Sequence, residues 1–219
     1  MRSLCLAAAL LAAFFTPAQA HDGAKHGAGS AAASAVAPVA RPARNPQAYF
    51  TDRELLTQDG RKVRFYSDLL KGRTVVINTI YTTCKDACPL ITAQLVAVRN
   101  KLAAGFGKDI VFVSVTSDPE NDTPQALKKF AAKLGADVPG WTFLTGAKGD
   151  VDHILKKLGQ WSENIEGHST QLVVWNFNAD RGRKMLPNLP PELIAAQIGL
   201  VADGDSNVPL PMLGPARAN

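Results

Sequence analysis

Two cysteines stand four positions apart in the segment Tyr81-Thr82-Thr83-Cys84-Lys85-Asp86-Ala87-Cys88-Pro89. Before them runs Thr74 to Tyr81, β-branched and mostly apolar, which reads as a strand buried on both faces. After them Ile91, Leu95, Val98 and Leu102 fall at i, i+4, i+7 and i+11, the apolar face of a helix spanning Cys88 to Leu102. Where a strand ends and a helix begins, unpaired N–H groups and the helix dipole favour negative charge. A thiol placed there ionises readily and becomes a ligand or a nucleophile. Lys85 adds positive charge between the two, and Pro89 suits a first helical turn.

Such a pair in an oxidising compartment supports three chemistries: a structural disulfide, a redox couple or a metal site. A disulfide closing so short a loop removes little unfolded-state entropy. Two thiolates are soft ligands that favour Cu(I) or Zn(II). Structural zinc takes four ligands, and the whole chain of 219 residues holds three cysteines and four histidines. Cu(I) accepts three, so two sulfurs and one imidazole suffice. Thioredoxin-type enzymes carry CxxC after a Trp, with a facing proline. This chain has one residue more between its cysteines, no adjacent Trp, and no Pro between Trp161 and Met185. Peroxiredoxins place Thr three residues before their reactive cysteine, where this chain has Tyr81.

The elements that must position the pair alternate along the chain. Glu54–Thr57 and Lys62–Phe65 flank Gln58-Asp59-Gly60-Arg61, a hairpin signal with Asp-Gly at the turn. Ile110–Thr116 reads as a second buried strand, and Thr123-Pro124 opens a helix through Leu134. Trp141–Leu144 is a short strand, and Val151, Ile154, Leu155 and Leu158 form a helical stripe. Gln171–Phe177 is a strand that turns at Asn178–Arg183 and returns through Lys184–Leu186, ahead of a last helix over Pro191–Val201. After the hairpin the order β-α-β-α-β-α-β-β-α predicts an α/β fold, a central sheet flanked by helices with an N-terminal β-hairpin. Strand, cysteines, then helix is the thioredoxin-like arrangement.

Four motifs in order resemble the SCO/SenC family, over about residues 49 to 202. Thr83-Cys84, Asp86 and Cys88-Pro89 are similar to its TCxDxCP motif. Asp118-Pro119-Glu120-Asn121-Asp122-Thr123-Pro124 is similar to DPxxDTP, and Trp141–Gly146 to WxFLTG. Gly167-His168-Ser169-Thr170 lies where the family places a copper-ligating histidine. The resemblance implies a thioredoxin-like fold and copper held by Cys84, Cys88 and His168. Copper would be Cu(I), with Cu(II) as a second state. It also implies a role in loading the copper centre of cytochrome oxidase, so the partner would be an acceptor such as oxidase subunit II. The chain departs from the family in Lys85, where many relatives have Pro, and in Gly167, where Asp is frequent. The remaining acids and histidines read as structural. Asp122 or Thr123 caps the helix that follows, Asp118 belongs to the same loop, and His153, one position off its helix's apolar stripe, reads as a solvated surface histidine.

The termini set the compartment. Arg2, an apolar run from Leu4 to Phe15, and Ala18-Gln19-Ala20 read as a secretory signal over residues 1–20. Cleavage there removes Cys5, leaves Cys84 and Cys88 as the mature cysteines, and makes His21 a new N-terminus able to chelate Cu(II). An uncleaved signal would anchor the chain to a membrane. Residues 21–48, which include His26, are Ala/Gly/Ser/Pro-rich and read as a flexible leader. The domain then runs over 49–203, followed by an irregular tail from 204 to 219. Net charge is +5 with the basic residues scattered, which gives no footprint for nucleic acid. The sequence therefore predicts an exported, periplasmic copper carrier. The second reading is a thiol–disulfide oxidoreductase that acts on a thiol-bearing partner through Cys84 and Cys88. The third is a non-catalytic domain stapled by one disulfide.

Overall fold

The computed structural model describes residues 45–102 and 105–204. The signal, Cys5, His21, His26 and most of the leader lie outside the described residues, as does the tail from residue 205. The described chain forms one seven-stranded sheet in the order β2-β1-β5-β4-β3-β6-β7. Its strands are β1 Glu54–Thr57, β2 Lys62–Arg64, β3 Thr74–Ile80, β4 Ile110–Thr116, β5 Trp141–Thr145, β6 Leu172–Asn176 and β7 Arg181–Met185. β3, β4 and β5 are parallel, whereas β1 and β6 join them antiparallel.

Every residue of β3 and β4 is buried. These two strands occupy the middle of the sheet, and side chains of alternating direction fill two separate cores. Val76, Ile80, Phe112, Leu172 and Val174 point to one face. There they pack against α2 (Ala87–Leu102), α3 (Pro124–Lys133) and α5 (Pro191–Ala202). Val75, Ile77, Val111, Val113 and Val173 point to the other. They meet α1 (Pro46–Phe50), a π-helical turn at Phe65–Leu70, and α4 (Lys148–Leu158). Each fully buried aliphatic side chain contributes about 1.5–3 kcal/mol of transfer free energy. Asn78 and Ser114, opposite each other on β3 and β4, are paired: Ser114 Oγ donates to Asn78 Oδ1 at 2.8 Å and accepts from Trp141 Nε1 at 3.0 Å.

Two short elements differ from the sequence reading. α1 begins inside the segment read as leader, because Asn45 accepts from the N–H of Ala48 and Pro46 occupies the first turn. Phe50 then enters the core. The π-helical turn carries no period that a sequence pattern detects; it buries Phe65, Tyr66, Leu69 and Leu70. Among the described residues no helix is long and apolar enough to cross a membrane.

Candidate metal centre

The cysteine segment leaves the C-terminal end of β3 and turns into α2. The turn is closed by the N–H of Cys84 on the carbonyl of Tyr81 at 3.2 Å. Cys84 Sγ then accepts the backbone N–H of Cys88 at 3.2 Å. The sulfur thus serves one of the orphan donors of the helix N-terminus, as a capping oxygen would. Both thiols are free. Cys88 is 1% exposed and packs in the core beside Ile91 and Leu95, whereas Cys84 is half-buried.

Their environments separate them electrostatically. Burial raises the Cys84 pKa, but hydrogen bonds from the Cys88 thiol, the backbone of Cys88 and Asp86, and the Tyr81 hydroxyl outweigh it, so the net shift is downward. Cys88 is pushed up to about 12, first by burial and then by donating its proton toward Cys84. The pair therefore holds one thiolate-prone sulfur and one protonated sulfur. Lys85, expected to help, is exposed; the groups that lower the Cys84 pKa are hydrogen-bond donors of the loop itself.

His168 follows a 3-10 turn at Ile165–Gly167 and is 8% exposed. Its Nδ1 lies 3.1 Å from the carbonyl of Ser169. A carbonyl only accepts, so Nδ1 carries the proton and Nε2 keeps its lone pair. Burial holds the His168 pKa below 6.5 against the opposing pull of that carbonyl, so the ring is neutral at pH 7. Tyr81 touches both parts of the site. Its ring meets the His168 ring edge-on at 5.7 Å and 88°. Its hydroxyl bonds to Cys84, which pushes the tyrosine pKa up to about 12.

Asp122 supports the cysteine turn from the neighbouring loop. Its fully buried carboxylate accepts the Thr82 N–H at 3.1 Å, the Thr82 hydroxyl and the Thr116 hydroxyl. Burial still raises its pKa, with the hydroxyl and backbone donors of Thr116 and Thr82 opposing. This carboxylate ties the residue two before Cys84 to the end of β4. Of the two candidates for capping α3, Thr123 is the cap, accepting from the N–H of Ala126. Asp118 accepts two bonds from Asn121 Nδ2, at 3.0 and 2.9 Å, and shapes the same loop.

The structure brings Cys84 and Cys88 together and sets His168 against Tyr81 beside them. Among the described residues no three of His, Cys, Asp and Glu stand close enough to hold a metal ion together. The three predicted ligands thus share one end of the sheet without forming a finished cage. His153 is not solvated as expected: it is half-buried on α4, with Nε2 buried and unpartnered. It does lie one position off the apolar stripe, but α4 packs against more than the sheet, with Tyr49 of α1 donating to the Lys157 carbonyl at 2.9 Å. The sequence places Tyr81 and Thr82 beside the cysteines without giving either a part in the site. Nothing local marks Thr116.

A family model described as SCO1/SenC matches residues 41–198. The SCO1 protein homolog of Bacillus subtilis is 42% identical over 89 residues, 41% of this chain and 45% of that protein. The chain spans about half the length of the curated relatives it matches. Among solved structures, BsSco is 28% identical with a TM-score of 0.57, covering 69% of this chain and 91% of that one. Its description names a disulfide switch and a Sco family of cytochrome c oxidase assembly proteins. Copper-bound ScoI of Bradyrhizobium japonicum shares the fold, with a TM-score of 0.57 at 21% identity over 68% of this chain and 96% of that one. With most of its length matched by that model, this chain belongs to the SCO1/SenC family.

Proposed function

We propose that this chain binds copper through Cys84, Cys88 and His168 and carries it, as cargo, to a partner with soft ligands of its own. The observation that carries the proposal is the inequality of the donors. One sulfur is half-exposed and ionises readily, the second is buried behind it, and a neutral imidazole nearby keeps a free lone pair. That donor set suits a soft monovalent ion. A metal would displace the Cys88 proton, so binding releases protons and strengthens with pH. Because the three groups are not preassembled, loading requires His168 and the cysteine turn to approach each other. The copper-bound relative and the oxidase-assembly description of BsSco support the same reading. An acceptor such as cytochrome oxidase subunit II fits it, in the periplasm or a similar exported space reached through the residue 1–20 signal.

One feature favours a second reading. The thiol of Cys88 donates toward the Cys84 sulfur, so the pair is arranged as a dithiol. The Cys84 thiolate could attack a partner's disulfide, forming a mixed disulfide and expelling one partner thiolate. Cys88, after losing its proton, would then form the Cys84–Cys88 disulfide and release the second thiolate. Two electrons pass to the partner, whose disulfide becomes a dithiol.

Competition with a chromophoric Cu(I) chelator separates the two. The copper reading expects one Cu(I) per reduced chain, sharply weakened in His168→Ala. No competition by the wild type, with dithiol exchange intact in His168→Ala, would replace it with the oxidoreductase.

A further inference from the structure

We infer that a cation-lined cleft at the N-terminal ends of the parallel strands is a binding site for a phosphate group. The cleft has a volume of about 480 Å³ and lies at the far end of the sheet from the cysteines. Cys84 follows the C-terminal end of β3. Lys108 precedes the first residue of β4, and Gly140 precedes that of β5. The seven residues of β3 and β4 separate the two ends by about 20 Å.

Four cations from three separate segments line the cleft: Arg61 and Lys62 from the hairpin, Arg73 from the approach to β3, and Lys108 from the approach to β4. Its one carboxylate, Asp68, is already occupied by Arg64, which donates from Nη2 at 2.8 Å and from its backbone N–H at 2.7 Å. Lys62 is paired with Glu54 at 2.9 Å. Arg73 donates Nη1 to the carbonyls of Asp68 and Leu69 at 3.3 and 3.5 Å, which fixes its position and leaves its charge uncompensated. The side chains of Arg61 and Lys108 have no ion pair or hydrogen bond among the described residues. Three uncompensated cations therefore converge on one concavity.

Two glycines also line the cleft. Gly107 and Gly140 both take positive φ, at 82° and 89°, and a Cβ on Gly140 would stand 2.5 Å from the Gly107 Cα. The two turns thus meet at a contact that only glycine permits. The apolar residues lining the cleft, Val63, Leu69, Val111, Phe112 and Val113, are themselves buried, so a ligand there is held chiefly by charge. Guanidinium forks with an ammonium between them match the oxygens of a phosphate. Free inorganic phosphate and the phosphate of a lipid headgroup present the same chemistry, and an exported protein meets both.

The test uses the full reduced chain and compares Arg61→Gln/Lys108→Gln with Lys129→Gln/Lys133→Gln. The second pair removes equal charge from the exposed side of α3. Titration with inorganic phosphate reads the free anion. Sedimentation with phosphatidylcholine vesicles containing phosphatidylglycerol, less the binding to phosphatidylcholine alone, reads the headgroup. The expected result is loss of binding in the cleft variant only, about fivefold for each cation removed at a lipid surface, and weakening with salt. Whichever probe shows that pattern names the source. Wild-type protein that binds neither probe, a cleft variant that binds like wild type, or equal loss in both variants would overturn the site.

Discussion

The two ends of the parallel strands present opposite chemistry. At the C-terminal end a thiolate-prone sulfur, held by the N–H groups of a helix start, and a neutral imidazole offer electron pairs. At the N-terminal end Arg61, Arg73 and Lys108 gather uncompensated positive charge. The same sheet supports both, yet the means differ. The cysteine end depends on buried, mutually bonded groups whose protonation is set by their neighbours. The far end depends on cationic side chains, two of them exposed and one half-buried, around a surface cleft. Damage should therefore spread at the first end and stay local at the second.

The largest effect that tests this contrast is loss of a ligand. Cys88→Ser should reduce Cu(I) affinity by more than the roughly ten- to hundredfold expected for losing an outer partner. Arg61→Gln/Lys108→Gln should leave it unchanged in the same chelator competition. Reactivity comes next. At about pH 8 an alkylating reagent should modify Cys84 well before Cys88, whose pKa of about 12 leaves almost no thiolate. Peptide mass spectrometry of partly labelled protein reads the order directly, and equal labelling would erase the asymmetry.

Asp122 offers a more moderate test. Asp122→Asn replaces a pure acceptor facing three donors, so about 1–3 kcal/mol of stability should be lost in urea unfolding. Cu(I) affinity should fall with it, because the residue holds Thr82. The adjacent Thr123→Ala removes only the α3 cap, costing about 1 kcal/mol without changing copper affinity. The smallest effect is a pH slope. His168 titrates below 6.5 when folded, so below about that pH the unfolded chain binds more protons than the folded one. Stability should therefore fall as pH drops through that window, and less so in His168→Ala.

Those neighbouring residues also mark how far the sequence could be read. β4 was placed to the residue, and β3 to within one, because unbroken β-branched runs admit few alternatives. β7 was placed late, since an edge strand of Arg, Gly and Lys with one buried residue offers no alternation. In Asp122-Thr123-Pro124 local chemistry identified the helix start correctly. It could not tell which residue capped, because the contact of Asp122 with Thr82 spans 40 positions. The two cysteines announced themselves by spacing. His168 had no local signal, and its assignment came from a resemblance; its neutral tautomer and its contact with Tyr81 required coordinates. α1 is hidden in a window dominated by Ala, Gly, Ser and Pro, although Asn45-Pro46 is a readable helix start.

X-ray absorption at the copper edge of the Cu(I)-loaded full chain tests the ligand set most directly. Two sulfurs and one nitrogen in the first shell, with the nitrogen absent in His168→Ala, is the predicted result. A first shell of two sulfurs alone in the wild type, or of nitrogen and oxygen without sulfur, would contradict it.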